Sequence, residues 1–171
     1  MITYLNDIQI ALRGMNAEPL AELARQLQDL RIHSRTLFVC GNGGSHSVAE
    51  HWGVDLMKAG RLETHTLGTN LALLTALSND LDYTVGLSTE LSMRAQPNDM
   101  LVCLSCSGKS RNIASTLNEA RKLRMHATLI TGLKAPEYPE AKVIRVFSTD
   151  YGVLEDVFSM IGHWLTRELS S

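Results

Sequence analysis

"RTLFVCGNGGSHSVAEHWGVDLMK", residues 35–58, decides how the rest of the chain is read. Its first part is a short apolar run of the kind that forms a strand buried on both faces. Glycines 41, 43 and 44, with Asn42 and Ser45 between and after them, break the run, and a helical pattern follows from about Gly44 to Lys58. A strand that passes through a glycine loop into a helix aims free backbone N–H groups at the space above the strand, which favours an anion there. The helix behind the loop carries His51 and Asp55 four residues apart, on one face.

Working outward, the same alternation recurs. Apolar residues at helical spacing predict helices over 2–14 and 18–31, with Asn16 as the cap of the second. "ETHTLG" reads as a weaker strand. "TNLALLTALSND" and "DYTVGLSTELSMRAQ" read as helices, "PNDMLVCLS" as a strand, and "GKSRNIASTLNEARKLR" as a helix with Ile113, Leu117, Ala120 and Leu123 inward. "HATLITG" and "AKVIRVF" are two further strands, and "YGVLEDVFSMIGHWLTREL" is a closing helix. About five short apolar strands alternating with helices predict an α/β fold, a three-layer αβα sandwich around a parallel sheet. At 171 residues the chain reads as one domain, with N-terminal helices over 1–31 and the αβα core over 35–171. Ligands of such sheets sit beyond the carboxyl ends of the strands, which directs attention to 41–46, 68–70, 105–110 and 131–135.

Several function classes fall away. The net charge of −2 offers no basic footprint for nucleic acid. The start "MITYLNDIQIALRGM" has no basic opening and contains Asp7, so it does not read as a signal peptide, and "LALLTAL" is too short to span a membrane. Cys40, Cys103 and Cys106 suit a reducing cytoplasm, and the C-x-x-C at 103–106 has no second pair to complete a zinc site. They read as core and loop cysteines. A nucleotide is not expected: His46 stands where a dinucleotide fingerprint needs its third glycine, and Cys103 stands where a P-loop before "GKS" needs its first.

What remains is a matched pair of small, hydroxyl-rich loops, Asn42-Gly43-Gly44-Ser45 and Ser105-Cys106-Ser107-Gly108-Lys109-Ser110, each after a strand and before a helix. Glycine admits close approach of an anion and serine adds donors without bulk. One phosphate and one polyhydroxylated body suit two such loops facing one cleft. The plainer reading is that these residues only cap their helices. On the last helix Glu155 and His163 are eight residues apart, about 80° around the axis, and can project to one side.

These residues together resemble the sugar isomerase (SIS) domain superfamily, and within it the phosphoheptose isomerase (sedoheptulose-7-phosphate isomerase) family. The resemblance rests on "CGNGGSH", on His51 and Asp55 against H-x-x-x-E, on "SND" at 78–80, on "SCSGKS" against S-T-S-G-N-S, and on Glu155 with His163 against Gln and His at the same spacing. It runs from about residue 37 to 165 and makes 1–171 a single SIS domain. It implies a flavodoxin-like five-stranded parallel sheet in a homotetramer with active sites at subunit interfaces. It implies bacterial heptose biosynthesis by aldose–ketose isomerisation through an enediol(ate). Phosphate would be held by Ser105, Ser107 and Ser110, with Cys106 in place of a threonine. Asn42, Gly43, Ser45, Asp80 and Glu155 would meet the substrate, and Asp55 and His163 would take the acid/base roles. Some members bind zinc through the positions of His51, Asp55, Glu155 and His163, so zinc is the cofactor the resemblance leaves open.

Besides Cys106, the chain departs from the pattern at four places. Asp55 is one methylene shorter than the usual glutamate, Glu155 replaces an amide, and Lys109 replaces an asparagine. The segment 56–80 is about four residues shorter and has no clean counterpart of the family's arginine, for which Lys58 and Arg61 are candidates. Two other readings stay open: an isomerase of another ketose phosphate, and a non-catalytic binding protein of the replication-initiator-associating type. That binding protein lacks the catalytic carboxylate and the last-helix histidine, both of which are present in kind here.

Overall fold

In chain order the elements are α1 (Ile2–Arg13), α2 (Ala17–Ile32), β1 (Leu37–Cys40), α3 (Gly44–Lys58), β2 (Thr64–Thr66), α4 (Leu71–Asp80), α5 (Tyr83–Arg94), β3 (Met100–Ser105), α6 (Arg111–Lys122), β4 (His126–Gly132), β5 (Lys142–Val146) and α7 (Tyr151–Ser170). The computed structural model describes residues 1–170. Each expected strand and helix is present, with ends moved by a few residues. Asn16 caps α2 by accepting the Glu18 N–H at 3.1 Å, and Asn70 and Asp82 cap α4 and α5 in the same way, at 3.1 and 2.7 Å.

The sheet has five strands in the order β2-β1-β3-β4-β5, all parallel. The two-residue period of the strands sorts their side chains between two cores. Leu37, Val39, Met100, Val102 and Leu104 face a core built with α1, α2, α3 and α7, where Leu23, Leu27, Trp52, Leu56 and Phe158 are also buried. Phe38, Cys40, Leu101 and Cys103 face the other core, with Leu87, Leu91, Ile113 and Leu117 of α5 and α6. The N-terminal helices therefore share the main core; they are not an appendage. Helix α1 buries Ile8 and Ala11 but leaves Ile2, Leu5, Ile10 and Leu12 exposed.

From β1 the chain steps outward to β2, then returns to place β3 on the other side of β1. The strand order reverses between β1 and β3, and a crevice opens above such a reversal. The loops that leave β1 and β3 are the glycine loop and the serine loop. Cys40 and Cys103, paired in register, place their sulfurs 3.5 Å apart within the sheet, while Cys106 lies in the serine loop. All three thiols are free and buried, as core and loop cysteines should be.

Candidate active site

The crevice above β1 and β3 holds a cavity of about 270 Å3 lined by Asn42, Gly43, Gly44, Ser45, Ser105, Cys106, Ser107, Ser110, Tyr151 and Glu155. A larger hollow of about 510 Å3 lies beside the edge strand β2, lined by Val54, Met57, Lys58, Thr64 and others. It runs along the edge strand β2 and is mostly apolar, whereas the smaller polar cleft opens at the strand reversal, so the smaller cleft is the better candidate.

The backbone explains the glycines. Gly43 has φ +55 and ψ −126 with open space around it, so conformation, not crowding, demands glycine there. Gly108 has φ +62, and an added Cβ would also meet Thr131 Oγ1 at 2.8 Å. The serine loop is held from below: Gly108 N–H donates to Ser105 Oγ at 3.2 Å, Thr131 Oγ1 to the Ser105 carbonyl at 2.6 Å, and Tyr138 OH to the Gly108 carbonyl at 2.6 Å.

Capping does not account for the serines. Gly43, without a side chain, is the cap residue of α3. Ser110 is the cap residue of α6, yet its hydroxyl makes no cap bond. Ser45 Oγ donates instead to Glu155 Oε1 at 3.3 Å. Ser105 and Ser107 each accept a backbone N–H within their loop, at 3.2 and 3.1 Å, which leaves their O–H donors and the whole Ser110 hydroxyl for the cleft.

Asn42 ties the two loops together. Its Nδ2 donates to Asn112 Oδ1 at 2.9 Å, and its Oδ1 accepts from Asn112 Nδ2 at 2.8 Å and from Tyr83 OH at 2.8 Å. Most of its hydrogen-bonding capacity is spent on positioning, leaving one N–H for a ligand. Asn112 and Tyr83 did not stand out in the sequence. Asn112 was legible as a polar residue beside Ile113 in the first turn of α6, and the structure buries it. Tyr151, another lining residue, precedes Glu155 by four and shares its helix face.

Glu155 reaches into the cleft from the first turns of α7, within 3.8 Å of Cys106 Sγ. Burial pushes the Cys106 thiol up, a hydrogen bond with Ser45 partly opposes this, and the Glu155 charge adds to the rise. The thiol is therefore a neutral wall of the site and no poised nucleophile.

Of the four residues expected as metal ligands, three meet and Glu155 does not join them. His51 Nε2 lies 3.0 Å from His163 Nε2 and 3.3 Å from Asp55 Oδ2, and His163 Nε2 lies 3.8 Å from the same oxygen. Glu155 is absent from this group. Eight helical residues separate Glu155 from His163 by roughly 12 Å along the axis, so sharing a side of α7 does not bring them to one ion. The three-residue group sits in the open between α3 and α7, with both histidine side chains more than half exposed. Ligand atoms around tetrahedral zinc are about 3.3 Å apart, which the three observed separations bracket, so the donor set fits zinc. Asp80, expected at the sugar, is exposed at the end of α4, where it accepts from Asn79 Nδ2 at 2.9 Å, and it does not line the cleft. Lys58 and Arg61 are also exposed and outside it.

The SIS domain family profile matches residues 2–132. The chain is 35% identical over 141 residues to the phosphoheptose isomerase of Maridesulfovibrio salexigens, covering 78% of this chain and 68% of that one. It is 31% identical over 134 residues to a probable phosphoheptose isomerase of Thermoplasma acidophilum, covering 75% and 74%. Among solved structures, the phosphoheptose isomerase of Neisseria gonorrhoeae superposes with a TM-score of 0.89 over 97% of this chain and 93% of that one, at 22% identity. With its five parallel strands, its paired loops at the strand reversal and these relatives, the chain belongs to the SIS domain family.

Proposed function

We propose that the chain is a phosphosugar isomerase of heptose biosynthesis, interconverting sedoheptulose 7-phosphate and a heptose 7-phosphate. The observation that carries this reading is the polar cleft at the β1/β3 reversal, walled by two serine loops whose hydroxyls are not used up in capping. Its relatives carry the name phosphoheptose isomerase.

The phosphate group seats on Ser105, Ser107 and Ser110, where α6 begins and its free N–H groups favour an anion. The carbon chain then extends toward Asn42, Ser45 and Glu155. Anchoring the remote phosphate orients carbons 1 and 2, and orientation alone supplies a large share of the rate. The conversion needs a base for a carbon-bound proton and a group that moves protons between the two oxygens.

Asp55 and His163 are that pair in this reading. They lie outside the chain's own cleft, so they act on the cleft of a second copy in a homo-oligomer, for which a tetramer is our assignment. The exposed apolar residues Ile2, Leu5, Ile10 and Leu12 of α1, with Val54 and Met57 of α3, give that assembly apolar surface to bury. Zinc, where bound, would be held by His51, Asp55 and His163 and would polarise the substrate carbonyl; a residue held on the ion would not be free to move protons, so the acid/base roles of Asp55 and His163 belong to the metal-free chain. Among the described residues no helix is long and apolar enough to cross a membrane. Three free thiols agree with the cytoplasm as the place of action.

The test is turnover of sedoheptulose 7-phosphate by the chain and by His163→Ala. Loss of at least about 100-fold is expected if His163 handles a proton. Unchanged turnover in the variant would remove His163 from the mechanism.

A further inference from the structure

Ten residues line the cleft, and Glu155 is the only acidic or basic side chain among them. Its carboxylate is held in place. Ser45 Oγ donates to it at 3.3 Å, Cys106 Sγ approaches to 3.8 Å, and its oxygens lie so close over the first turn of α3 that Gly44 has no room for a Cβ. No basic side chain forms an ion pair with it among the described residues. The groups set against it carry no positive charge: Ser45 and Gly44 from α3, Cys106 from the serine loop, and Tyr4 from α1, which feels its charge together with those of Asp150 and Asp156. Lys109, on the serine loop, is exposed and does not line the cleft.

A fixed, unpaired carboxylate beside the sugar end of a phosphate site must discriminate by charge. Like charges a few ångströms apart in a half-buried cleft repel strongly, and opposite charges attract. Hydroxyl groups, by contrast, simply donate to the carboxylate. We infer that Glu155 is a specificity determinant that admits phosphosugars whose first carbons bear hydroxyl or ammonium groups and rejects those bearing a carboxylate. The inference rests on the phosphosugar reading of the cleft and narrows its substrate class. Sedoheptulose 7-phosphate, neutral along its carbon chain, passes the filter. A phosphorylated aldonate does not, and an amino sugar phosphate gains.

Three matched probes test this: glucose 6-phosphate, glucosamine 6-phosphate and 6-phosphogluconate. They share six carbons and one phosphate and differ near carbons 1 and 2 as neutral, cationic and anionic. Calorimetric titration of the wild-type chain is expected to rank glucosamine 6-phosphate tightest and 6-phosphogluconate weakest, the latter at least about tenfold weaker than glucose 6-phosphate. In Glu155→Gln, the same shape without the charge, the three affinities converge to within about threefold. Glu155→Asp keeps the charge and keeps the ranking, with a melting temperature near wild type showing that either variant is folded. Equal wild-type affinities for the three probes, or an unchanged ranking in Glu155→Gln, would overturn the inference and leave the phosphosugar reading standing. A wild-type chain that binds none of the probes and no inorganic phosphate would overturn both.

Discussion

Replacing Gly162 with alanine probes the joint that holds the two functional helices together. Gly162 lies on α7 against Trp52 of α3, and an added Cβ would stand 2.7 Å from Trp52 Cε2 and closer still to two other indole atoms. Trp52 is 1% exposed and its Nε1 donates to the Phe158 carbonyl at 2.9 Å, so the ring has no free direction in which to retreat. Overpacking of this kind costs about 2 kcal/mol. Displacing the indole forfeits about 1 kcal/mol of hydrogen bond, while alanine returns about 1 kcal/mol of helix propensity over glycine. The net loss is about 2 kcal/mol, or about 4–8 °C in melting temperature for a domain of this size. Differential scanning calorimetry, with urea unfolding beside it, measures the change. A melting temperature equal to or above wild type would refute the argument, because it would mean that the α3–α7 contact yields freely. The same substitution has a local consequence. Trp52 follows His51 and Gly162 precedes His163, so forcing the helices apart here lengthens the 3.0 Å separation of the two imidazoles.

Two more outcomes follow from the geometry. Zinc added to the chain should bind at one ion per chain by metal analysis after gel filtration, and binding should be lost in His51→Ala and weakened in Gly162→Ala; zinc retained in His51→Ala would show that the ion sits elsewhere. Tyr4 OH donates to Asp156 at 2.7 Å, and its pKa is pushed up from 10.0 to about 12, by the hydrogen bond first, then by desolvation, and then by the neighbouring negative charges. The folded state thus holds this proton more tightly than the unfolded state does. The stability it contributes is present below pH 10 and is lost as pH rises from about 10 toward 12, a loss that Tyr4→Phe abolishes in urea unfolding at a series of alkaline pH values.

The fold was legible because local signals agree with one another. Strands such as "LFVC" and "MLVCLS" are buried at every position, and apolar at all but the final serine, because helices cover both faces of the sheet, and Asn16 caps α2 as its position predicts. The serine and glycine loops were legible because their residue types are informative wherever they follow a strand. Relations along a helix were harder to read. The angular positions of Glu155 and His163 suggested one site, but the rise of the helix separates them within a single chain. Asp80 carries a motif position in the sequence, yet the end of α4 holds it in solvent. Asn42 lines the cleft and also ties the two loops together, a role the sequence did not show because its partners Asn112 and Tyr83 come from α6 and α5, 70 and 41 residues away. Such pairings depend on tertiary packing and leave no local mark.

The central claim, that this cleft carries out aldose–ketose chemistry on a phosphosugar, is tested most directly by incubating the chain with sedoheptulose 7-phosphate in D2O and following carbons 1 and 2 by NMR. The account predicts that an aldose signal grows in while deuterium enters at the carbon whose proton passes through an exchangeable side chain. A sedoheptulose 7-phosphate spectrum that stays unchanged, with neither aldose nor deuterium, at protein concentrations that saturate inorganic phosphate binding would contradict it.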